Sequence, residues 1–585
     1  MPDKRYIRTI LPLRLEWEPC YCLPDTSLFD NGNAPQPAVG DRIEVPFSGK
    51  KIIAVVAQTD AVPDIAEDRI HTLPSYSPVL KAVSREELKL WEFIAGYYCC
   101  TIGEVYKAAY PGSKTESEKI QANADEKAAL MYAKTVDLWN RRIEKLKGRL
   151  ASKEEKLAHA VKDSVIQTLQ EAKGRILEEL EDARKRLAKL DRSLFSEAGK
   201  DDVMLQSLPV YESDALASAV FSGKAVLLKS SDRTEHYIHL ASECLRRGKS
   251  ALILVPDTSL AKALQAELKD SFGPLLHVHS ATSTAAQRRK IADRLRDCRP
   301  TLVLGTKPSI FLPFRELGLI IIDNEQSPFY KQSDSAPRYN GRDCALKLAS
   351  IHKCPVVLGS SSPSLESVFN CRTGKYICFE DSAAGARGKF LLIDMSAERR
   401  KRGIEGFFSR KLLEALDGKG NVALVRGFER EEELELEARK LLNCNYKIFT
   451  LAKAQRSDLS EFDAVALMSV DAMFSADDFR ADERVFQFLD SLRHSCKVVV
   501  VQTRNAAHRV FSLIDPSPLL AERETFGMPP YTRLVDIGIA GTSVHERLVL
   551  DRRLGIAQRN EAIKKAAGKL SAGHKGRIVI DVDPI

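Results

Sequence analysis

The sequence predicts a multidomain α/β protein built around two parallel-sheet lobes, with a small β-rich domain before them and a small α/β domain after them. Three observations predict it. Continuous apolar runs recur in two groups, each run separated from the next by a helical segment, as strands buried on both faces of a parallel sheet require. The first 112 residues instead alternate apolar and polar positions between Gly and Pro breaks, the pattern of short antiparallel strands. Between these regions, residues 113–200 contain no proline, 20 Lys/Arg and 16 Asp/Glu, which suits solvated helices. A chain of 585 residues also exceeds what one core holds, so several domains are expected.

Within residues 1–112, strands are expected at Arg8–Leu13, Val39–Phe47 and Ile52–Val56, forming a small antiparallel barrel or sandwich. Tyr21, in Pro19-Cys20-Tyr21-Cys22-Leu23-Pro24, suits a base-stacking surface or the barrel core equally well. In residues 113–200, Trp139, Ile143, Leu146 and Leu150 step at heptad spacing, as do Ile176, Leu180, Ala183, Leu187, Leu190 and Leu194. Each stripe is short, so an antiparallel helical hairpin fits. Residues 201–387 form the first lobe, with strands at Ala225–Leu228, Ala251–Val255, Thr301–Leu304, Leu319–Ile322 and Val356–Leu358. Residues 388–525 form the second, with strands at Val422–Val425, Val465–Met468 and Val498–Val501. The last segment, 526–585, is basic and helical, with 9 Lys/Arg against 3 Asp/Glu from His545 to Arg577.

The net charge of +8 is mild; it suits a nucleic-acid partner and also many ordinary proteins. None of the 12 cysteines forms a C-x-x-C pair, so reduced, buried thiols are expected and no metal site. No run approaches the roughly 18 apolar residues of a membrane span, and Met1-Pro2-Asp3-Lys4-Arg5 lacks the apolar core of a signal peptide. A cytoplasmic protein without membrane contact is the expectation.

Two stretches carry chemistry. Ala225-Val226-Leu227-Leu228-Lys229-Ser230-Ser231-Asp232-Arg233-Thr234 is a strand, a turn and a helix start, where a phosphate-binding loop would sit. Such a loop needs glycines so that several N–H groups face one anion, and a lysine to reach the outer phosphates. Leu227, Ser230 and Asp232 occupy the glycine positions, Arg233 the lysine position, and only Thr234 keeps its type. The second stretch, from Phe329, Tyr330 and Lys331 to Arg338 and Tyr339, interleaves aromatic rings with cations, which suits single-stranded DNA.

Ordered motifs extend along the whole chain. They include Ile94-Ala95-Gly96-Tyr97-Tyr98, Ile102-Gly103-Glu104-Val105, His279-Ser280, Leu304-Gly305-Thr306, Asp323-Asn324-Glu325-Gln326, Arg342-Asp343 and the run from Gly359 to Ser367. Phe474-Ser475-Ala476, Phe479-Arg480, Glu483-Arg484, Gly527-Met528-Pro529-Pro530-Tyr531 and Asp581-Val582-Asp583-Pro584 complete them. In this order they resemble the primosomal protein N′ (PriA) family of replication-restart helicases.

The resemblance implies RecA-like lobes, an N-terminal domain that binds a DNA 3′ end, and ATP with magnesium as cofactors. It also marks departures. Asp323 keeps the metal-ligand position, but Asn324 replaces the carboxylate that polarises water and Gln326 a histidine, so Asp323, Asn324 and Glu325 read as vestigial. With Ser230, Asp232, Arg233 and Thr234 they make a vestigial nucleotide site, for which ATP is not expected to be used. The family's arginine-bearing repeat has no counterpart in 489–497, its Gly-Thr motif none in 449–453, and its paired zinc motifs none between Phe428 and Phe462. The hairpin takes the place of an expected winged helix. The carboxylate of the terminal-nucleotide pocket is absent beside Tyr21.

Three functions remain open. The chain is a replication-restart protein binding forked or single-stranded DNA with a silent ATPase and recruiting primosome partners, an active ATP-dependent helicase, or a scaffold acting through its hairpin.

Overall fold

The computed structural model describes residues 4–24, 36–111, 115–210, 214–380, 388–457, 459–474 and 478–585. Ser475 and Ala476 of the motif quoted above lie outside them, as do the expected boundaries at 112–113 and 387. The chain divides into two compact units, residues 1–9, 20–82 and 110–207 in one and residues 10–19, 83–109 and 208–585 in the other.

The first unit pairs a sheet with a helical hairpin. Strands β1 (Tyr6–Ile10), β2 (Cys20–Cys22), β3 (Arg42–Phe47), β4 (Lys50–Gln58) and β5 (Pro78–Leu80) lie in the order β2-β1-β4-β3-β5. The β1–β2, β3–β4 and β3–β5 pairs are antiparallel, as alternation predicts. After β5 the chain forms α1 (Arg85–Tyr97) and α2 (Ile102–Ala109), which belong to the second unit. The hairpin follows as α3 (Thr115–Ala158) and α4 (Asp163–Ser207). Ile143 and Leu146 meet Ile176, Leu180 and Ala183 along its seam, with Trp139, Leu150 and Leu187 packed against them. Leu190 and Leu194 lie outside the described side chains. Arg142 and Arg186 lie 5.5 and 5.6 Å from the Trp139 ring, so cations cover the rim of the seam.

The second unit carries the two lobes. After α5 (Ala215–Val220), the first lobe runs β6 (Ala225–Lys229), α6 (Thr234–Arg246), β7 (Ser250–Leu254), α7 (Thr258–Phe272), β8 (Leu276–His279) and α8 (Ala285–Arg296). It continues through β9 (Leu302–Gly305), β10 (Leu317–Asp323), α9 (Gly341–His352), β11 (Val356–Ser360), α10 (Leu365–Arg372) and β12 (Tyr376–Glu380). Its seven strands are parallel, in the order β12-β6-β11-β10-β7-β9-β8. Every residue of β7, β9, β10 and β11 is buried, which is why these strands read as unbroken apolar runs.

The second lobe runs β13 (Lys389–Asp394), α11 (Met395–Arg400), a ribbon of β14 (Ile404–Glu405) and β15 (Phe408–Ser409), α12 (Arg410–Leu416) and β16 (Asn421–Arg426). Then come α13 (Glu431–Leu441), β17 (Asn445–Thr450), α14 (Leu451–Ala454), β18 (Ala464–Leu467), α15 (Ala481–Ser495) and β19 (Val498–Thr503). Five parallel strands lie in the order β13-β19-β18-β16-β17. After α16 (Ser517–Thr525), strands β20 (Thr532–Ile539), β21 (His545–Asp551) and β22 (Ile578–Val582) form an antiparallel sheet with α17 (Ile556–Gly573) between the last two. Among the described residues no helix is long and apolar enough to cross a membrane.

Motif glycines sit where a side chain has no room. A Cβ on Gly103 would lie 2.0 Å from the Leu13 carbonyl oxygen and 2.4 Å from that of Leu11. One on Gly305 would lie 2.0 Å from Ser309 Oγ. That same hydroxyl lies 2.8 Å from Nδ1 of buried His279.

Burial, with a smaller contribution from Arg288, pushes the His279 imidazole down to about 4. The unfolded chain binds this proton near pH 6.5 and the folded chain resists it, so stability is full above that pH and falls as the pH drops toward 4. The loss reaches on the order of 3 kcal/mol. Denaturant midpoints across that range should fall more steeply for the wild type than for His279→Asn.

Candidate functional site

Ser230, Asp232, Arg233, Thr234 and Asp323 lie at the carboxyl ends of β6 and β10, the edge at which parallel sheets of this kind hold ligands. Arg233, the last residue before α6, turns its guanidinium across to Asp323, with Nε 2.8 Å from Oδ1. The Tyr237 hydroxyl, one turn further along α6, donates to the same oxygen at 2.7 Å. Asn324 donates from Nδ2 to Asp323 Oδ2 at 3.0 Å and accepts from Arg233 Nη2 at 3.3 Å. Its φ of +49° is left-handed, a conformation that asparagine tolerates better than most residues. Burial, then the Asp323 charge, pushes the Tyr237 phenol well above its usual range, so it stays a donor.

The loop faces the wrong way for an anion. A phosphate cradle presents N–H groups, whereas here the Ser230 carbonyl points inward and accepts from Arg233 Nη1 at 2.7 Å. Ser230 Oγ is spent on the Asp232 carbonyl, also at 2.7 Å, and the Asp232 side chain is exposed. Thr234 begins α6 half-buried. Gly359 makes room for the cluster, since a Cβ there would lie 1.8 Å from the Tyr237 oxygen. These residues do not fit a magnesium-bound nucleotide. The metal-ligand carboxylate is occupied by a guanidinium, a phenol and an amide, and the loop offers a carbonyl oxygen where phosphate oxygens would lie.

Glu325 faces the opposite side. Its side chain is wholly buried, accepting from Ser364 N at 2.7 Å, Ser364 Oγ at 2.9 Å and Arg342 Nη1 at 3.1 Å. The next residue, Leu365, donates its N–H to Glu483 Oε1 of the second lobe at 3.0 Å. Glu483 Oε2 accepts from Arg523 Nη2 at 3.1 Å, and Arg480 Nη1 donates to Glu366 Oε1 at 2.8 Å. This buried chain joins the two lobes. The segment 489–497, where the family's arginine repeat was sought, completes α15 and leads into β19.

The aromatic loop corrects the expectation that its rings stack on bases. Tyr330 is fully buried, its hydroxyl 2.6 Å from the Asp323 carbonyl and 2.9 Å from that of Leu254. Tyr339 is buried edge-on against Phe311, with centroids 5.4 Å apart. Phe329 is half-buried and capped by the Arg456 guanidinium at 3.7 Å. Lys331 is buried, donating to the Val582 carbonyl at 2.6 Å and pairing with Asp581 at 2.8 Å, while Arg338 lies 3.9 Å from the same carboxylate. The loop is therefore pinned to β22, and its exposed tip is Ser333-Asp334-Ser335. Tyr21 is likewise a core residue of its sheet, 2% exposed, with its hydroxyl on the Pro46 carbonyl at 2.8 Å.

Sequence reasoning missed a cavity of about 830 Å3, lined by residues of α1, both lobes and the C-terminal sheet. Nine Lys/Arg line it against four Asp/Glu, and each of those carboxylates is already paired: Asp343 with Arg342, Glu366 with Arg480, Glu483 with Arg523 and Asp583 with Arg533. Burial, then the charges of Arg552 and Arg533, pushes the Lys375 ammonium below its usual range. A surplus of partly desolvated cations suits an anionic ligand. No local sequence signal could show it, because Lys375, Arg533 and Arg552 are brought together only by the fold. Among the described residues no cluster of three His, Cys, Asp or Glu could hold a metal ion.

Comparison with known proteins agrees with the motifs. The family model of the PriA 3′DNA-binding domain matches residues 14–111. Replication restart protein PriA of Haemophilus influenzae is 28% identical over 425 residues, covering 67% of this chain and 55% of that protein. The Bacillus subtilis protein of the same name is 37% identical over 205 residues, covering 33% and 25%. The chain belongs to the PriA family. Its matches to the curated PriA proteins span between 25% and 55% of their length. Among solved structures, the helicase MrfA bound to DNA is similar at a TM-score of 0.34 and 14% identity, covering 52% of this chain and 47% of that one. Within this PriA-family chain, two of the quoted motifs now have visible roles. The Tyr97 hydroxyl donates to Asp583 at 2.7 Å, and Asn560 and Arg559 donate to the Gly96 and Tyr97 carbonyls at 2.8 and 2.7 Å, tying α1 to the C-terminal sheet and α17.

Removing one partner of the Arg233–Asp323 pair leaves a buried charge unmatched. Arg233→Ala should cost about 3–5 kcal/mol of unfolding free energy. The double variant Arg233→Ala/Asp323→Ala should cost less than the sum of the single ones, a non-additivity measurable by urea titration.

Proposed function

We propose that this chain is a replication-restart protein of the PriA kind that acts by binding DNA, with an ATPase core that neither holds nor turns over nucleotide. The observation that carries the second half is the Arg233 guanidinium seated on Asp323. To bind a magnesium nucleotide, that ion pair has to break, the Ser230 carbonyl has to turn away and the exposed Asp232 has to approach a triphosphate of its own sign. The water-polarising carboxylate and the arginine repeat are absent besides, and loss of one such group alone typically costs on the order of 100–1000-fold in rate.

The DNA half is supported by the match of residues 14–111 to the 3′DNA-binding domain. Cations left available by the fold also support it: exposed Lys564, Lys565, Lys569 and Lys575 on and after α17, and Lys375 and Arg552 in the cavity. Trp17, 57% exposed within the matched segment, is an aromatic surface suited to stacking on a base. Lys331 is withdrawn as a phosphate contact, since Asp581 neutralises it; Arg338, half-buried, remains the loop's candidate.

Titration of forked DNA at several salt concentrations is expected to give a binding constant that falls with salt and does not change on adding ATP. Alanine at both Lys375 and Arg552 should flatten the salt slope by about two units if phosphates sit in the cavity. Lys331→Ala should lower the melting temperature and leave the slope unchanged. DNA-stimulated phosphate release that disappears in Asp323→Ala would establish the active-helicase reading instead.

A further inference from the structure

We infer that the second lobe carries a docking surface for the phosphate backbone of duplex DNA, formed by Arg399, Arg400, Lys401 and Arg402 at the end of α11 with Arg410 beside them. The inference rests on the DNA-binding reading above and adds to it the part of a fork that this lobe holds. From Met395 to Lys411 the chain has six Lys/Arg against two Asp/Glu. Lys411 is spent on buried Glu398 at 3.1 Å. The other five cations are exposed and, among the described residues, have no carboxylate partner.

The fold holds these residues in place. Asp394 caps the start of α11, accepting from Ser396 N at 2.8 Å and Ala397 N at 3.1 Å. At its end the Gly403 N–H donates to the Glu398 carbonyl at 2.9 Å and the Arg402 N–H to the Arg399 carbonyl at 3.1 Å, the paired bonds that close a helix. The ribbon of β14 and β15 then doubles back, so that the Arg410 N–H reaches the Gly403 carbonyl at 2.8 Å. Gln502 of β19 clamps that ribbon, accepting from Ser409 N and donating to the Phe407 carbonyl, each at 2.9 Å. Arg402 takes a φ of +54°, in the position after a helix where glycine is favoured because a side chain is strained. A cation therefore stands where stability alone favours none.

Helix stability does not account for the charge either. The carbonyl end of a helix carries about half a negative charge, which one cation answers; four stand here in succession. From 391 to 420 no large apolar side chain is exposed, so the patch lacks the apolar anchor around which a protein interface is built. Phe407 is half-buried and Phe408 buried, so it also lacks an exposed ring on which an unpaired base stacks. What remains is a cluster of cations, which fits phosphates presented at about one charge per 1.7 Å along a duplex. Glu405 and Glu437, whose carboxylate accepts from the Phe407 N–H at 2.7 Å, lie at the turn of the ribbon and confine the positive region to its α11 end.

The full chain is titrated with a labelled forked DNA and with a single strand of the same length, each at several salt concentrations. Arg399→Gln/Arg400→Gln/Lys401→Gln should weaken fork binding and flatten its salt slope by about two units or more, since each lost phosphate contact removes about one. Binding of the single strand should change less. The comparison is Arg430→Gln/Arg439→Gln/Lys440→Gln, which removes the same charge from α13 and the residue before it, where Arg430 and Arg439 pair with Glu433 and Glu435; its slope should match the wild type. Arg402→Gly should raise the urea midpoint by relieving the left-handed conformation and still weaken fork binding by about threefold, opposite signs that a purely structural residue does not give. A wild-type slope in the α11 variant, equal flattening in both triple variants, or an equal loss on the single strand overturns this proposal and leaves the DNA-binding reading standing. A wild type that binds neither probe overturns that reading as well. An α11 variant that loses affinity for polyglutamate and none for the fork assigns the patch to an acidic protein instead.

Discussion

The contact on which the candidate site turns is the ion pair between Arg233 and Asp323. In a nucleotide-binding lobe the corresponding carboxylate faces a divalent cation, and the charge of the triphosphate balances metal and lysine together. Here a single guanidinium balances a single carboxylate, and the remaining donors and acceptors close around them: Tyr237 and Asn324 on the carboxylate, the Ser230 carbonyl on the guanidinium. Such a cluster is self-sufficient. A buried pair contributes little stability over an apolar filling, but losing either partner is costly. Each member therefore holds the others, and Gly359 must stay small to admit the Tyr237 oxygen.

The neighbouring residue, Glu325, holds a different part of the structure together. Glu325 takes three hydrogen bonds, two from Ser364, and the N–H of Leu365 reaches Glu483 across the lobe boundary. A lobe interface of this kind normally responds to nucleotide because the ligand supplies part of the contact. In this chain protein groups already bridge that boundary: Glu366 with Arg480, Leu365 N–H with Glu483, and Gln487 with the Pro363 carbonyl. Burial and the adjacent Glu366 charge push the Glu483 carboxyl upward, while Arg480 and Arg523 oppose them. The arrangement holds two carboxylates close together only because arginines separate them.

How much of this was legible follows from where each strand lies. The strands named from sequence, β1, β3, β4, β6, β7, β9, β10, β11, β16, β18 and β19, are interior to their sheets. In the three larger sheets those passed over were β2, β5, β8, β12, β13 and β17, each of them an edge; the β14–β15 ribbon and the C-terminal β20, β21 and β22 were passed over as well, although β20 is the middle strand of its sheet. An interior parallel strand is apolar throughout because both faces are covered, whereas an edge strand such as Leu276–His279 or Asn445–Thr450 mixes polar residues into a short run and loses the signal. The hairpin was readable for the opposite reason, since its seam depends on spacing within one helix at a time.

The site was legible in its losses and illegible in its replacements. That Ser230, Asp232 and Arg233 depart from a phosphate loop can be seen in ten residues; that Arg233 reaches Asp323, 90 positions away, cannot. The aromatic loop fails in the same way. Tyrosine and lysine are amphipathic, so one string of residues serves either as a stacking surface or as an anchored loop. What decides is a partner remote in sequence: Asp581 and the Val582 carbonyl neutralise and hold Lys331 from 250 residues further along. Charge counted along a sequence overstates the charge offered to a ligand wherever the fold supplies the counter-ion. The cavity is the converse case, where Lys375 and Arg552 look unremarkable in sequence and acquire their meaning because the nearby carboxylates already have partners.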